Sequence, residues 1–540
     1  MIRRLRLIRN PSLTVARLLD ELLLVDAGRL VGRVLDAPGE PEHTLAQLHA
    51  EVAAMSRFLK EEAGLKRGDR VAIWKTNEPR CFDWFLAVIR AGGIAVPLNP
   101  LLPPAEVRGI VDRCGISTLV TDAEFFSSAV RSKETVPVGC WVQDRGEDAP
   151  EGFLHFTSAW LGAPTQPPAD VAPADPVAIL CSSGTEGSPR SAVLTSEALL
   201  AARTAALVSA PLAPVGCSAL LTLPWSHIMA VSTALYGLMA GIGGLFLRRF
   251  EVHTAVEAIR RHRIKVVVGV PAMFIRLVNS APDAEALASV RVWISASDHL
   301  PGYFRRRLLE YGALLRGPSR LRIRPVFVNA YGMVELGGIA MFGLDAPFVP
   351  GDGELCLPVP PLRVRVVDEQ GRDTPPGETG HCLVSGPGVT GRYWGDARPQ
   401  SELLAPGGWL RTGDLAERSR LGLVRLAGRA KDVIKCGGYS VLAREVEEVL
   451  ASHPGVARVA VIGVPHPEKG EVPVAVLEPR LSFTTADEDL SDWCRARLAA
   501  YKVPRRFHRV APGTLPVGVT EKVLKRVLRQ QFAAEFGSRL

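Results

Sequence analysis

Two different periods of apolar residues run through the first third of the chain. The segment Asp69-Arg-Val-Ala-Ile-Trp74 reads as a strand. Phe82, Phe85, Leu86 and Ile89 then recur at i, i+3, i+4 and i+7, the stripe of an amphipathic helix. Residues 95–98 return as a strand, Val107, Ile110, Val111 and Cys114 mark a second helix, and residues 117–121 close the unit. This alternation predicts an α/β fold, a parallel sheet with helices on its faces. Six prolines between Pro150 and Pro176 form a connection. Strands are expected again at 177–181, 266–270, 292–295 and 326–328. From about Leu362 the texture changes to short strands separated by turns such as Asp368-Glu-Gln-Gly371, which predicts a β subdomain over about 362–430. Residues 431–540 read as a separate, small α+β domain. Its helices are expected near 443–451, 488–500 and 521–531, and its strands near 456–463 and 472–478. No internal repeat is present.

The stretch 228–247 carries no charge over the length of a membrane-spanning helix. Gly237, Gly241, Gly243 and Gly244 interrupt it, which instead predicts a short buried helix, a turn and a strand. Near the N-terminus, Arg17, Asp20 and Glu21 break the apolar run that a secretion signal needs, so none is expected.

At 540 residues the chain exceeds one compact domain, and 47% hydrophobic with 22% charged residues is ordinary globular composition. Nine cysteines without CxxC spacing argue against a disulfide framework or zinc site and fit a reducing cytoplasm. The net charge of +8 favours anionic partners. No basic track interleaved with aromatics accompanies it, which argues against nucleic acid. Only 11 of the 64 basic residues are lysine, so each lysine in a motif stands out.

The chemistry-bearing segments begin with Ile179-Leu-Cys-Ser-Ser-Gly-Thr-Glu-Gly-Ser-Pro-Arg190. Here a strand feeds a loop whose N–H and hydroxyl groups could surround phosphate oxygens. It lacks the order of a Walker loop, and Gly/Ser clusters are also common as plain turns. Further along stand Tyr331-Gly-Met-Val-Glu335, Arg411-Thr-Gly-Asp-Leu415, Gly428-Arg-Ala-Lys-Asp-Val-Ile-Lys435 and Leu515-Pro…Glu521-Lys522. Taken singly these are weak: Asp414 beside glycine suits an Asx-turn, and Lys522 at an expected helix start suits a solvated surface residue.

Taken in order and spacing, from about Leu45 to Arg529, these motifs resemble the adenylate-forming superfamily of acyl-CoA synthetases, aryl-CoA ligases, luciferase and peptide-synthetase adenylation domains, and the chain is most similar to its fatty-acyl-CoA ligases. The resemblance implies a large N-terminal domain, residues 1–430, and a small mobile C-terminal domain, residues 431–540. It also implies two half-reactions: a carboxylate attacks the α-phosphate of ATP with Mg²⁺ present, then a thiol displaces AMP. Ser182, Ser183, Gly184, Thr185 and Gly187 would cradle phosphates, with Arg190 where relatives carry lysine. Glu335 would bind Mg²⁺, Tyr331 would lie against adenine, Asp414 would accept both ribose hydroxyls, and Arg429 would contact ribose or phosphate. Lys522 would bridge the substrate carboxylate and the α-phosphate. Lys431 would sit at the hinge, and Lys435 in the stretch used for thioester formation. His227, with Trp225 and Met229, would border the acyl pocket. The thiol would belong to CoA or to the pantetheine of an acyl carrier protein.

Residues 224–247 contain no acid, so this segment offers nothing to pair the ammonium of an amino acid substrate. A plain carboxylic acid, aliphatic in character, is expected. Four departures from the family pattern bear on activity. Val334 replaces a threonine, Glu186 stands in the phosphate loop, Ser295-Ala-Ser-Asp-His-Leu300 replaces Ser-Gly-Ala-Ala-Pro-Leu, and Glu521 precedes Lys522 where glycine is usual. They leave open a second class of function, a nucleotide- or acyl-binding partner protein with impaired turnover.

Overall fold

The computed structural model describes residues 2–36, 43–127, 135–145, 149–162, 164–182, 190–205, 217–316, 322–347, 349, 353–396, 400–480, 486–518 and 522–536. Its centre is two sheets. One runs, in spatial order, through Phe153–Phe156, Cys140–Asp144, Thr118–Thr121, Arg70–Ile73, Ile94–Pro97, Pro176–Ser182 and Arg190–Thr195. All neighbours in it are parallel except the last pair. The expected alternation is present, with helices Arg80–Ala91 and Pro104–Cys114 between its strands. Arg80–Ala91 is buried along its whole length. Its polar N-terminal positions, Arg80 and Asp83, are therefore buried as well.

The second sheet holds five parallel neighbours in the order Val292–Ala296, Val266–Gly269, Ser218–Leu221, Gly243–Phe246 and Leu30–Val34, with Val326–Met333 beside the first of them. The region expected as a β subdomain has a core of its own, with Leu362, Val364, Val366, Cys382, Val384 and Leu410, and is joined to the second sheet by strand pairing. Strand Leu355–Pro358 pairs with Gly338–Asp345 on one side and with Val424–Arg429 on the other, so Arg363–Val367, Thr379–Ser385 and Trp409–Arg418 continue the same sheet.

The uncharged stretch 228–247 folds as helix Ile228–Ala240, a left-handed Gly241 (φ 81°) and strand Gly243–Phe246. Among the described residues no helix is long and apolar enough to cross a membrane. A third sheet carries Tyr439–Leu442, Val433–Cys436, Gly470–Pro479 and Val456–His466, with Arg506–Arg509 parallel to Gly470–Pro479. Helix Ala443–Ala451 packs on it as expected, whereas Asp487–Arg495 is shorter than the sequence suggested. Lys522 precedes helix Lys525–Phe536 rather than starting it, because residues 517 and 523 form a short antiparallel bridge first.

This third unit docks on the large sheet through ions. Arg444 pairs with Glu354 and donates to the carbonyl of Leu426, and Glu448 accepts from Gly302 N–H at 3.0 Å and contacts His299. His299, Glu354 and Glu448 offer oxygen and nitrogen atoms within 4.8 Å of one another. Arg305 and Arg444 already neutralise Glu354, so the cluster is a network of ion pairs joining two units.

Candidate functional site

The strand Val326–Met333 and the strand pair Trp409–Arg418/Val424–Arg429 bring the central motifs together. Register places Asp414 opposite Arg429, and their side chains meet at 3.0 Å. Tyr331 Oη donates to the other Asp414 oxygen at 2.6 Å. Burial and the Asp414 carboxylate push the Tyr331 phenol well above its ordinary pKa, so it stays protonated and donates. Thr412 fixes this turn: its hydroxyl donates to the Cys382 carbonyl at 2.8 Å and accepts from Asp414 N–H at 3.1 Å. Arg429 Nη1 closes the loop on the Thr412 carbonyl at 3.1 Å. Gly332 after Tyr331 is required by close approach, since a Cβ there would lie 2.0 Å from the Gly338 carbonyl oxygen.

Tyr331, Asp414, Arg429, Lys431 and Lys522 line one cavity of about 550 Å³, within the usual range for small-molecule sites. Lys522 reaches it from the third unit, where Nζ lies 3.6 Å from Asp298 Oδ1. Partial burial alone would raise the Asp298 pKa; Lys522 and the His299 N–H outweigh it and hold the carboxyl below the usual range. The lysine's carboxylate neighbour is thus Asp298, from the departing loop, while Glu521 lies outside the described residues. Ser297, in the same loop, has a left-handed φ of 77°.

Glu335 sits in a short turn between two strands, 8% exposed, and accepts from Tyr393 Oη at 2.7 Å. The Arg190 guanidinium lies 5.6 Å from the centre of the Tyr393 ring, so these three form one chain of contacts. No sequence signal marks Tyr393; Asp298 belongs to a segment that departs from the family pattern, but its pairing with Lys522, from a distant segment, is a tertiary contact. Ser182 ends its strand, with its backbone paired to Arg190. Ser183, Gly184, Thr185, Glu186 and Gly187 lie outside the described residues. Lys435 is not in the cavity; it is exposed and donates to Ser440 Oγ at 2.8 Å.

A second cavity, about 210 Å³, runs over the parallel strands and shares Ala330 with the first. Register explains its floor. Val34, Phe246, Leu221, Val268, Ile294 and Val328 are successive cross-strand partners, so their side chains fall on one face. Trp225 and Met229 line this cavity, with helix Ile228–Ala240 as its cover. His227 does not line it. That side chain caps nothing at the start of the helix, its Nε2 has no partner among the described residues, and burial pushes its pKa down to about 4. The acid-free segment 224–247 is not the whole wall of this cavity. Asp83 and Glu78, from the other sheet's helix and the turn before it, reach this cavity's wall.

With this geometry in place, comparison with known proteins is direct. Residues 31–394 match the AMP-binding enzyme family and residues 445–533 its C-terminal domain. The chain belongs to this adenylate-forming family. It is 30% identical to a fatty acid–[acyl-carrier-protein] ligase, ScoC, of Streptomyces coeruleorubidus, over 91% of each chain. It is also 30% identical to a feruloyl-CoA synthase of an Amycolatopsis species, over 91% of this chain and 94% of that one. Among solved structures it is similar to ATP-bound MatB from Rhodopseudomonas palustris, with TM-score 0.82, 25% identity and coverage of 97% and 100%. The anthranilate CoA ligase AuaEII shares the fold at TM-score 0.84 and 24% identity, over 98% of this chain and 99% of that one.

Proposed function

We propose that this chain is an AMP-forming acid–thiol ligase. It activates a carboxylic acid, aliphatic in its main chain, as the acyl-adenylate and passes the acyl group to a thiol, most simply that of CoA. One observation carries the reading: the polar cavity holding Tyr331, Asp414, Arg429 and Lys522 meets the apolar cavity at Ala330. A carboxylate at that junction has its chain on apolar wall and its head beside a lysine.

In this reading Asp414, already holding Tyr331 and Arg429, uses its remaining lone pairs for ribose hydroxyls, since each carboxylate oxygen has two. Lys522 leaves Asp298 to lie between the substrate carboxylate and the α-phosphate, where negative charge accumulates as the oxygen attacks phosphorus and pyrophosphate departs. Glu335 fits Mg²⁺ in the way such ions are commonly held, by one protein carboxylate plus substrate phosphate oxygens, and the ion would neutralise charge on the departing phosphates. Tyr393 orients that carboxylate by its hydrogen bond. Arg190 stands at the end of the Gly/Ser loop, beside Tyr393, as a further cation for the phosphates.

The pantetheine of an acyl carrier protein presents the same thiol, and a relative named as a carrier-protein ligase supports it as the alternative acceptor. The test is thioester formation after adenylation of a C4–C18 acid panel plus benzoate, with CoA in one arm and a phosphopantetheinylated carrier protein in the other. Acid-dependent AMP release with either thiol supports the ligase. Acid and nucleotide binding without any AMP or pyrophosphate release would assign the chain to the non-catalytic class.

A further inference from the structure

Helix Arg80–Ala91 starts inside a cluster of buried ions. Lys75 is fully buried and lies 3.0 Å from Asp144 and 3.7 Å from Asp122, and it also pairs with Glu78. Arg80 clasps Asp144 through two nitrogens, at 2.5 and 3.0 Å, and reaches Glu51 at 2.6 Å. Arg145 and His43 also approach Glu51, at 3.8 and 3.9 Å, and Arg248 lies 3.4 Å from Glu78. Each cation of the cluster is therefore engaged by Glu51, Glu78, Asp122 or Asp144.

Asp83, one turn along the helix from Arg80, is the acid left over. It is 4% exposed, and no hydrogen bond engages its carboxyl among the described residues. A buried carboxyl without a partner is costly in either protonation state, and such a group survives best where a ligand completes it. Asp83 lines the apolar cavity, alongside Phe82, His43 and Val34. These belong to the cavity's far end. Five strand steps separate Ala330, where the cavity meets the polar site, from strand Leu30–Val34, next to the edge strand His43–Thr44, a distance of about 24 Å at ~4.8 Å per step.

We infer that Asp83 is a specificity determinant at the distal end of the acyl cavity, which takes a carboxylic acid bearing an uncharged hydrogen-bonding group, a hydroxyl, at its far end. The inference rests on the ligase reading for the position of the acid's head, and adds to it the chemistry of the tail. A neutral Asp83 carboxyl both donates and accepts, which a hydroxyl can satisfy and a methyl group leaves unpaired. An ω-ammonium would need Asp83 ionised, and it would meet the guanidinium groups of Arg33 and Arg80, which line the same cavity.

The test measures binding by calorimetry for matched pairs of straight-chain acids from C8 to C20, with and without a terminal hydroxyl, and for ω-amino acids. Wild type is compared with Asp83→Leu and Asp83→Asn, and acid-dependent pyrophosphate release is followed in parallel. At the chain length that reaches Asp83, wild type should prefer the hydroxy acid by about tenfold, the scale of one buried hydrogen bond. Asp83→Leu should reverse the preference towards the plain acid, and Asp83→Asn should retain most of it. Equal preference in wild type and Asp83→Leu at every length, or tighter binding of the ω-amino acid, overturns the inference. The two readings fail separately. Discrimination in binding without pyrophosphate release would sink the ligase and leave Asp83's role standing. Release with plain acids and no discrimination would do the reverse.

Discussion

Asp298 is the departure from the family pattern that pairs with Lys522, and its removal is a quantitative test. The Lys522–Asp298 pair is 3.6 Å apart, with side chains 38% and 40% exposed. Coulomb's law gives about 4.6 kcal/mol at an effective dielectric of ~20 and about 1 kcal/mol in water. With both groups more than a third exposed, the lower figure applies, in line with measured exposed pairs of ~0.2–1 kcal/mol. Freeing the lysine in Asp298→Ala should therefore raise the rate of adenylation by no more than about fivefold, since ~1.4 kcal/mol is a factor of ten. The assay is single-turnover pyrophosphate release with saturating acid, ATP and Mg²⁺. A modest increase means that Asp298 parks Lys522 between turnovers. A loss of more than about a hundredfold, ~2.7 kcal/mol, would refute this and make Asp298 a required part of the site.

Three further outcomes are expected. Asp414→Ala should weaken AMP binding by about ten- to a hundredfold in calorimetry, the loss of one charge-assisted hydrogen bond at ~1.5–3 kcal/mol; unchanged affinity would remove Asp414 from the nucleotide site. Asp144→Asn strips the fully buried Lys75 and Arg80 of a shared partner, so urea unfolding should show a loss of about 3–5 kcal/mol, and a loss below ~1 kcal/mol would contradict the buried network. Asp83 gives a pH signature. Burial raises its pKa from 3.8 to about 8, opposed by Arg80 and Arg145 and reinforced by Glu51 and Asp144. Its contribution to stability is complete below the unfolded value and is lost as pH rises through the folded one. Relative to wild type, Asp83→Asn should gain stability between pH 4 and 8, by up to about 1.4 kcal/mol per unit, and level off above. A flat difference would show that Asp83 is ionised throughout.

The parts of the fold visible in sequence are those written as local patterns. The stripe Phe82, Phe85, Leu86, Ile89 and the flanking strands needed no long-range information, and the glycines of 228–247 divided that stretch where the helix ends. Continuity of the large sheet was not visible, because pairing of Leu355–Pro358 with Val424–Arg429 joins segments some seventy residues apart. For the site, contiguous motifs carried Tyr331, Glu335, Asp414, Arg429 and Lys522. Tyr393 and Asp83 owe their places to tertiary contacts alone, and Asp298, visible as a departure in its segment, found its partner only in the fold. The absence of acid from 224–247 was correct for that segment and misleading for the cavity, whose far wall comes from another sheet's helix. Lys435, read from its motif, lies on an exposed strand away from the cavity that Lys522 enters.

On the proposed function, Lys522 reaches in from the third unit and drives adenylation at the junction of the two cavities. The most direct measurement is acid-dependent ATP–pyrophosphate exchange in wild type and Lys522→Ala, with AMP binding and thermal unfolding recorded on both. Wild type should exchange, and the variant should lose at least about a hundredfold in rate, the usual scale for removing one preorganised charge-stabilising group. AMP affinity and unfolding temperature should stay close to wild type, because the side chain is 38% exposed and its pairing is weak. Undiminished exchange in Lys522→Ala would contradict the account.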